Sequence, residues 1–194
     1  MGVPDRSLAT SSASAADAYE RGRPVYPVDL LDALGRAVGL GPGRDVLDLA
    51  AGTGKLTRQL VRFDARLVAV EPLAAMRAQF EVAVPGAAVL DGTAEEIPLD
   101  AASIDVVFVA QAYHWFDRDR ANREVARVLR PGRHLVCLWN LEDIEVPWVA
   151  AVEAVKDDVS GGRRTLVGSA AWDEPSAVPY RTEAVWWRRA TAPV

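Results

Sequence analysis

Two acids and a glycine turn are the residues best placed to do chemistry. Asp48-Leu49-Ala50-Ala51-Gly52-Thr53-Gly54 sets a carboxylate near the end of an apolar run and follows it with small residues. Small side chains let a ligand approach the backbone, and glycine accepts the positive φ that a tight turn demands. Glu71 ends the next apolar run, 19 residues after Gly52. At that spacing an acid reaches the paired hydroxyls of a ribose. Three nucleotide-binding patterns compete at this turn. A phosphate-cradling loop needs a glycine where Leu49 stands and a Ser or Thr where Leu56 stands. A dinucleotide fingerprint starting at Gly52 needs its third glycine where the chain has Thr57, which removes the close packing found beside a pyrophosphate. What survives is a ribose-holding acid, a turn with no phosphate cradle, and a second acid close by.

The elements that must position these residues alternate in type. Apolar residues at helical spacing predict a helix from Val28 to Val38, ended by Gly39 to Gly43. Short apolar runs predict strands at Asp45–Leu49, Arg66–Glu71, Ala87–Leu90, Ser103–Ala110 and Leu135–Trp139. Between them lie helical patterns at Lys55–Phe63, after Pro72 (Leu73, Met76 and Phe80 facing inward), and after Asp117. Asp117 reads as an N-cap, Ala121, Val125, Val128 and Leu129 as the buried stripe, and Pro131-Gly132 as the stop. The charges between Asp117 and Arg130 look like the solvated face of that helix. Strands alternating with helices of this length predict an α/β fold, a doubly wound and mostly parallel sheet with helices on both faces. In such a sheet the ligand sits at the carboxyl ends of the strands, beside the switch in strand order.

Composition narrows the remaining classes. With 194 residues, half of them apolar and a quarter charged, the chain has the size and make-up of one soluble globular domain. No apolar run is long enough for a membrane helix, and the start lacks the apolar core of a signal peptide, so a cytoplasmic protein is expected. One cysteine, Cys137, excludes an internal disulfide framework and a thiolate zinc cluster, and no metal is expected. A net charge of −5 argues against broad nucleic-acid binding. Residues 1–18, small and polar, read as a flexible segment, and 19–194 as a single domain with its cofactor-binding core at 43–140.

An adenosine bearing cationic groups in place of phosphates suits the two acids. S-adenosylmethionine is such a ligand, with a sulfonium and an ammonium that favour acidic surroundings. In agreement, VLDLAAGTGKLTRQL, VAVEP, DGTAEEIPL, AQAYHWFD and RVLRPGRHLVCLWN resemble, in order, the motifs of class I S-adenosylmethionine-dependent methyltransferases of the type 11 group. The resemblance runs from about Tyr19 to Asn140 and implies a Rossmann-like fold. It implies that Asp48 and the turn Ala50, Ala51, Gly52, Thr53 and Gly54 contact the methionine part of the cofactor. Glu71 would hold the ribose hydroxyls, with Pro72 and Leu73 beside the adenine. Thr93 stands where many relatives have an acid that bonds the adenine amino group, so the Ala94 backbone and Glu95 would share that task. Gln111 would face the methionine end, and Tyr19, Arg23 and Tyr26 resemble the segment that folds over the cofactor. The HWFD and RPVYP segments resemble trans-aconitate methyltransferase-like members, which points to a small-molecule acceptor.

His114, in Tyr113-His114-Trp115-Phe116, is the candidate catalytic base, against the plainer reading of a packing or substrate-positioning residue. The tail, 160–194, departs from the family pattern, which usually ends in two more strands, the last antiparallel. Thr182 to Trp187 could make one edge strand, and Val146 to Val159 reads as a helix. An uncovered sheet edge would invite pairing into a homodimer. Two alternatives stand beside the methyltransferase: a catalytically silent cofactor-binding domain, and an NAD-dependent dehydrogenase with an irregular fingerprint.

Overall fold

The computed structural model describes residues 24–142, 145 and 180–191. Helix α1 (Val28–Val38) buries Leu31, Leu34 and Val38, and Gly39 ends it with a left-handed φ of 70°. Then follow β1 (Asp45–Leu49), α2 (Lys55–Leu60), a 3-10 turn (Val61–Phe63), β2 (Arg66–Val70), α3 (Ala74–Ala83) and β3 (Ala88–Leu90). The second half contains β4 (Ile104–Ala110), a 3-10 turn (Tyr113–Trp115), α4 (Arg118–Val128), β5 (Leu129–Glu142) and β6 (Tyr180–Arg188). The six strands lie in the order β3-β2-β1-β4-β5-β6. All pairings among β1 to β5 are parallel. β6 runs against β5: Arg189 bonds the backbone of Gly132 and Arg133, while Thr182 meets Asn140 through their side chains. Among the described residues no helix is long and apolar enough to cross a membrane.

Strand periodicity explains the two larger of the three buried clusters among the described residues. Leu47, Leu49, Val107, Val109, Leu135 and Cys137 face one way and pack with Ala121, Val125 and Val128 of α4. Val46, Val106, Phe108, Val136 and Leu138 face the other way, onto Leu31, Leu34 and Val38 of α1 and Leu56 and Leu60 of α2. A sheet covered on both faces reads as continuous apolar runs, as β4 does. Cys137 is an inert core thiol, its pKa pushed up to about 12 by burial.

The structure moves one boundary and extends two strands. Asp117 caps α4 by accepting the Arg120 N–H at 3.3 Å, as its residue type predicts. The helix stops at Val128, before Pro131-Gly132, because Leu129 is already extended and pairs with Ile104. The register then shifts and resumes at Val106 with His134. Pro131 offers no N–H to a ladder, and Gly132 takes a φ of 77°, so the irregularity falls where the residues allow it. Thr182–Trp187 does form a strand, longer by a few residues than its apolar pattern suggests. The predicted helix at Val146–Val159 lies outside the described residues.

The described residues up to Trp139, with those from Ala184 onward, form one compact unit, and 140–183 belong to a second. In the first unit the amino ends of the strands are fastened by ion pairs. Arg130 reaches Asp45 at 2.9 Å and Asp105 at 3.0 Å, Arg133 reaches Asp105 at 3.0 Å, and Arg66 reaches Asp45 at 2.6 Å.

Gly54 shows how tightly the opposite end is built. Its φ is 82°, and a Cβ there would lie 2.7 Å from both Phe80 Cδ2 and Val84 Cγ2. Gly54→Ala should therefore cost about 1–3 kcal/mol by overpacking, beyond the backbone strain. Gly86→Ala isolates that strain, since Gly86 has φ 96° and open space around it. Urea unfolding of both variants checks this, and equal losses would show that Phe80 yields without cost.

Candidate functional site

The order of strands places a crevice where β1 and β4 lie side by side. The chain leaves β1 toward β2 on one side and leaves β4 toward β5 on the other, so the connections diverge above the carboxyl ends of the central pair. Ala50, the first residue past β1, and Gln111, the first past β4, both have a φ of 59°. A left-handed conformation costs a residue with a side chain about 1–2 kcal/mol. Such strain persists only where the surroundings over-determine the backbone.

Asp48, one residue before the end of β1, is 1% exposed. Its Oδ2 accepts the Thr57 hydroxyl at 2.5 Å. Its Oδ1 is buried with no hydrogen-bond partner. Burial raises the Asp48 pKa from 3.8 to about 7, against the Thr57 hydrogen bond and with help from the Glu71 charge. Such an oxygen is an acceptor that lacks a donor.

Glu71 follows β2 and is also buried. Its Oε2 accepts the Gly52 N–H and its Oε1 the Leu73 N–H, both at 2.9 Å. Burial raises its pKa, and the two N–H groups oppose that rise. Each carboxylate oxygen has a second lone pair, so both retain capacity for further donors. Gly52 has a φ of 57°, and a Cβ on it would meet nothing within 4 Å. The two glycines of the turn thus differ: Gly54 faces the core, Gly52 faces open space.

The structure brings Asp48, the turn from Ala50 to Gly54 and Glu71 together, as their spacing predicts. Leu73 lies half-buried beside Glu71, and Pro72 is exposed. Thr93 exchanges backbone hydrogen bonds with Glu96, and Ala94 is buried in the core. Glu95 commits one carboxylate oxygen to the Asp117 N–H at 2.9 Å. The Gln111 N–H is held by the Leu138 carbonyl. His114 is exposed on the 3-10 turn, its ring centroid 4.9 Å from that of Trp115. Tyr19 and Arg23 lie outside the described residues. Tyr26 is buried with α1 and α2, and Gln59 bonds both its N–H and its carbonyl.

Two supporting residues escape a sequence reading. Thr57 counts against a dinucleotide fingerprint, yet it is the hydroxyl that holds Asp48. A hydroxyl in the first turn of a helix that follows an acid-bearing strand is the signal that could have found it. Arg77 donates from Nη1 to the Glu71 and Pro72 carbonyls at 2.8 and 2.9 Å and to Asp91 at 3.0 Å. It ties the exits of β2 and β3 together, a contact that depends on the register between those strands.

Known proteins match along these same residues. A family model described as a methyltransferase domain matches residues 47–137. An uncharacterized methyltransferase of Mycobacterium tuberculosis is 51% identical over 144 residues, covering 74% of this chain and 58% of the relative. A solved structure described as a type II methyltransferase from Anaeromyxobacter dehalogenans is 36% identical with a TM-score of 0.54, covering 72% of this chain and 57% of that one. A methyltransferase structure from Methanococcus maripaludis shares the fold, with a TM-score of 0.63 at 16% identity over 83% of this chain and 77% of its own. The chain spans 58% of the length of its mycobacterial relative.

The Asp48 geometry carries a pH dependence. A carboxyl whose pKa is higher folded than unfolded binds its proton more tightly in the folded state. Its contribution to stability is present below the unfolded value and is lost as pH rises through about 7. Between pH 3.8 and about pH 7 the melting temperature of the ligand-free protein should fall relative to that of Asp48→Asn. A constant difference between the two across that range would mean that Asp48 does not titrate there.

Proposed function

We propose that this chain is a class I S-adenosylmethionine-dependent methyltransferase, a reading its matches to methyltransferases over residues 47–137 support, and that it binds S-adenosylmethionine and directs methyl transfer to a small-molecule acceptor. The observation that carries this reading is the buried, unpartnered Asp48 Oδ1, on the strand that leads into the turn whose Gly52 N–H bonds Glu71. Two acids whose ionisation burial opposes favour a cationic ligand. The open space at Gly52 admits the ligand close to the backbone, and Glu71 keeps acceptor capacity for two ribose hydroxyls. The residues present fit the cofactor.

When bound, the cofactor supplies a methyl group on a sulfonium, already activated for in-line displacement. The protein has only to position the two reactants and exclude water. Asp48 and the Ala50–Gly54 turn would hold the methionine part, with Gln111 facing the same end. Glu71 would hold the ribose, Pro72 and Leu73 would flank the adenine, and the turn at Thr93, Ala94 and Glu95 would read its amino edge. Tyr19 and Arg23 would come from the entry segment. His114, three residues past Gln111, would take a proton from a phenol, amine or carbon acceptor. A carboxylate acceptor has no proton to lose, and His114 would then only orient it. The small-molecule acceptor itself is supported by the resemblance of the HWFD and RPVYP segments to trans-aconitate methyltransferase-like members.

Titration calorimetry with S-adenosylhomocysteine and with NAD tests the cofactor. Glu71→Gln should weaken S-adenosylhomocysteine binding by about 1.5–3 kcal/mol, the scale of hydrogen bonds to a charged group. Unchanged affinity in the folded variant, or preferred binding of NAD, would remove the reading.

Turnover against a panel of small acids, phenols and amines tests the chemistry. With a protonated acceptor, His114→Gln should lower kcat by about 10²–10⁴-fold while cofactor affinity stays intact. With a carboxylate acceptor the same variant should raise KM and spare kcat. A variant as active as the parent on both measures would exclude His114 from either role.

A further inference from the structure

Helix α4 carries two charged residues whose place in the sequence suggests a solvated face, yet both reach the turn that follows β3. Arg127 donates from Nη1 to the Leu99 carbonyl at 2.7 Å and from Nη2 to the Ile97 carbonyl at 2.8 Å. The same guanidinium pairs with Glu124, Nε to Oε1 and Nη2 to Oε2, each at 2.8 Å. Glu124 Oε2 in turn accepts the Ile97 N–H at 2.9 Å. One ion pair therefore grips Ile97 at both its N–H and its carbonyl. At the start of the same helix, Glu95 accepts the Asp117 N–H.

The turn itself is stiff. Thr93 and Glu96 exchange backbone hydrogen bonds at 3.3 Å in both directions. Gly92 packs so closely that a Cβ there would lie 2.6 Å from Pro98 Cδ. A stiff turn held at fixed points moves as a body, so its fastenings decide where Thr93, Ala94 and Glu95 stand. The backbone of Arg127 itself lies away from the carboxyl ends of the strands. The Arg127 carbonyl accepts the Ala102 N–H just before β4 begins, at the amino ends of the strands.

We infer that Glu124 and Arg127 are positioning residues that fix the 93–95 turn against the purine, and so set cofactor affinity and selectivity for adenine without touching the cofactor. This rests on the assignment of residues 93–95 to the adenine edge in the proposed function. The residue type matters here. The planar guanidinium presents a fork of donors that spans two carbonyls and a carboxylate at once, and its hydrogen bonds are charge-assisted. A lysine at this position would offer a point charge and could not satisfy the three groups together.

The experiment compares dissociation constants for S-adenosylhomocysteine and S-inosylhomocysteine, in which an oxo group replaces the adenine amino group. The full chain is compared with Arg127→Met, Arg127→Lys, Glu124→Gln and Arg66→Gln. Arg127→Met should weaken S-adenosylhomocysteine binding about tenfold, a loss near the scale of one or two such hydrogen bonds. S-inosylhomocysteine should lose less, so discrimination between the two ligands shrinks. Arg127→Lys should fall between, and Glu124→Gln, which keeps an acceptor for the Ile97 N–H, should lose least. Arg66→Gln, which breaks an ion pair at the strand start, should bind both ligands as the parent does. An unchanged ratio in a folded Arg127 variant overturns the inference. An equal loss for both ligands also overturns it, because general loosening would not select between purines. Should Arg127→Met fail to fold, Arg127→Lys decides by the same ratio. If the parent chain binds neither ligand, the cofactor reading falls and this inference falls with it.

Discussion

The charge on Glu71 adds to the cost that burial already imposes on ionising Asp48, and the arrangement of the domain follows from holding both acids in place. A buried carboxylate tends to take up a proton or to find donors. Asp48 has found the hydroxyl and the backbone of Thr57, and Glu71 has found two backbone N–H groups. Those donors come from the first turn of α2, from the glycine turn and from the residue before α3. The two acids are therefore clasped by the connections that leave β1 and β2. The glycine turn must reach back to Glu71 while α2 reaches back to Asp48, so the chain reverses within a few residues of Leu49. Only small residues and left-handed backbone at Ala50, Gly52 and Gly54 allow that.

The rest of the sheet serves this constraint by making the opposite end immovable. Arg130 bridges Asp45 and Asp105, Arg133 adds a second contact to Asp105, and Asp105 Oδ2 also accepts the Asp45 N–H. These contacts join the starts of β1, β4 and β5. Behind the glycine turn, Phe80 and Val84 press on Gly54 with no slack. With its back and its amino ends held, the sheet can keep unsatisfied acids and strained residues at its carboxyl ends. Charged pairs that are partly exposed contribute little singly; linked across three strands, they set geometry.

How much of this was legible in the sequence depended on how local the cause was. Strand and helix types are local: Asp45–Leu49 and Val28–Val38 stand where their apolar spacing puts them, and the strand expected at Arg66–Glu71 ends one residue earlier, at Val70. The pairing of Asp48 with Glu71 was legible because the spacing between turn and acid is a property of one strand–helix–strand unit. The end of α4 was misjudged because Leu129 is captured by Ile104, a partner 25 residues earlier, before Pro131 can act as a stop. Arg77, Thr57, Glu124 and Arg127 were invisible for the same reason. Each looks like an ordinary helical polar residue until the fold brings a carbonyl or a carboxylate to it.

Ala50 and Gln111 stand where these constraints meet. They are the first residues past two neighbouring strands, and both sit in a conformation that a side chain makes costly. The backbone is nevertheless anchored at both places: the N–H of Ala51, next to Ala50, bonds the Val70 carbonyl, and the Gln111 N–H bonds the Leu138 carbonyl. Each strained residue thus leans on the strand that its own strand is paired with, β2 for the first and β5 for the second. The consequence is a crevice whose two lips are set by different halves of the sheet, the lip after β1 by β2 and the lip after β4 by β5. A ligand bound between them would contact both halves at once. The separation of the lips is then governed by the β1–β4 pairing, at Val46–Val106 through Asp48–Phe108, in the part of the domain where burial is most complete.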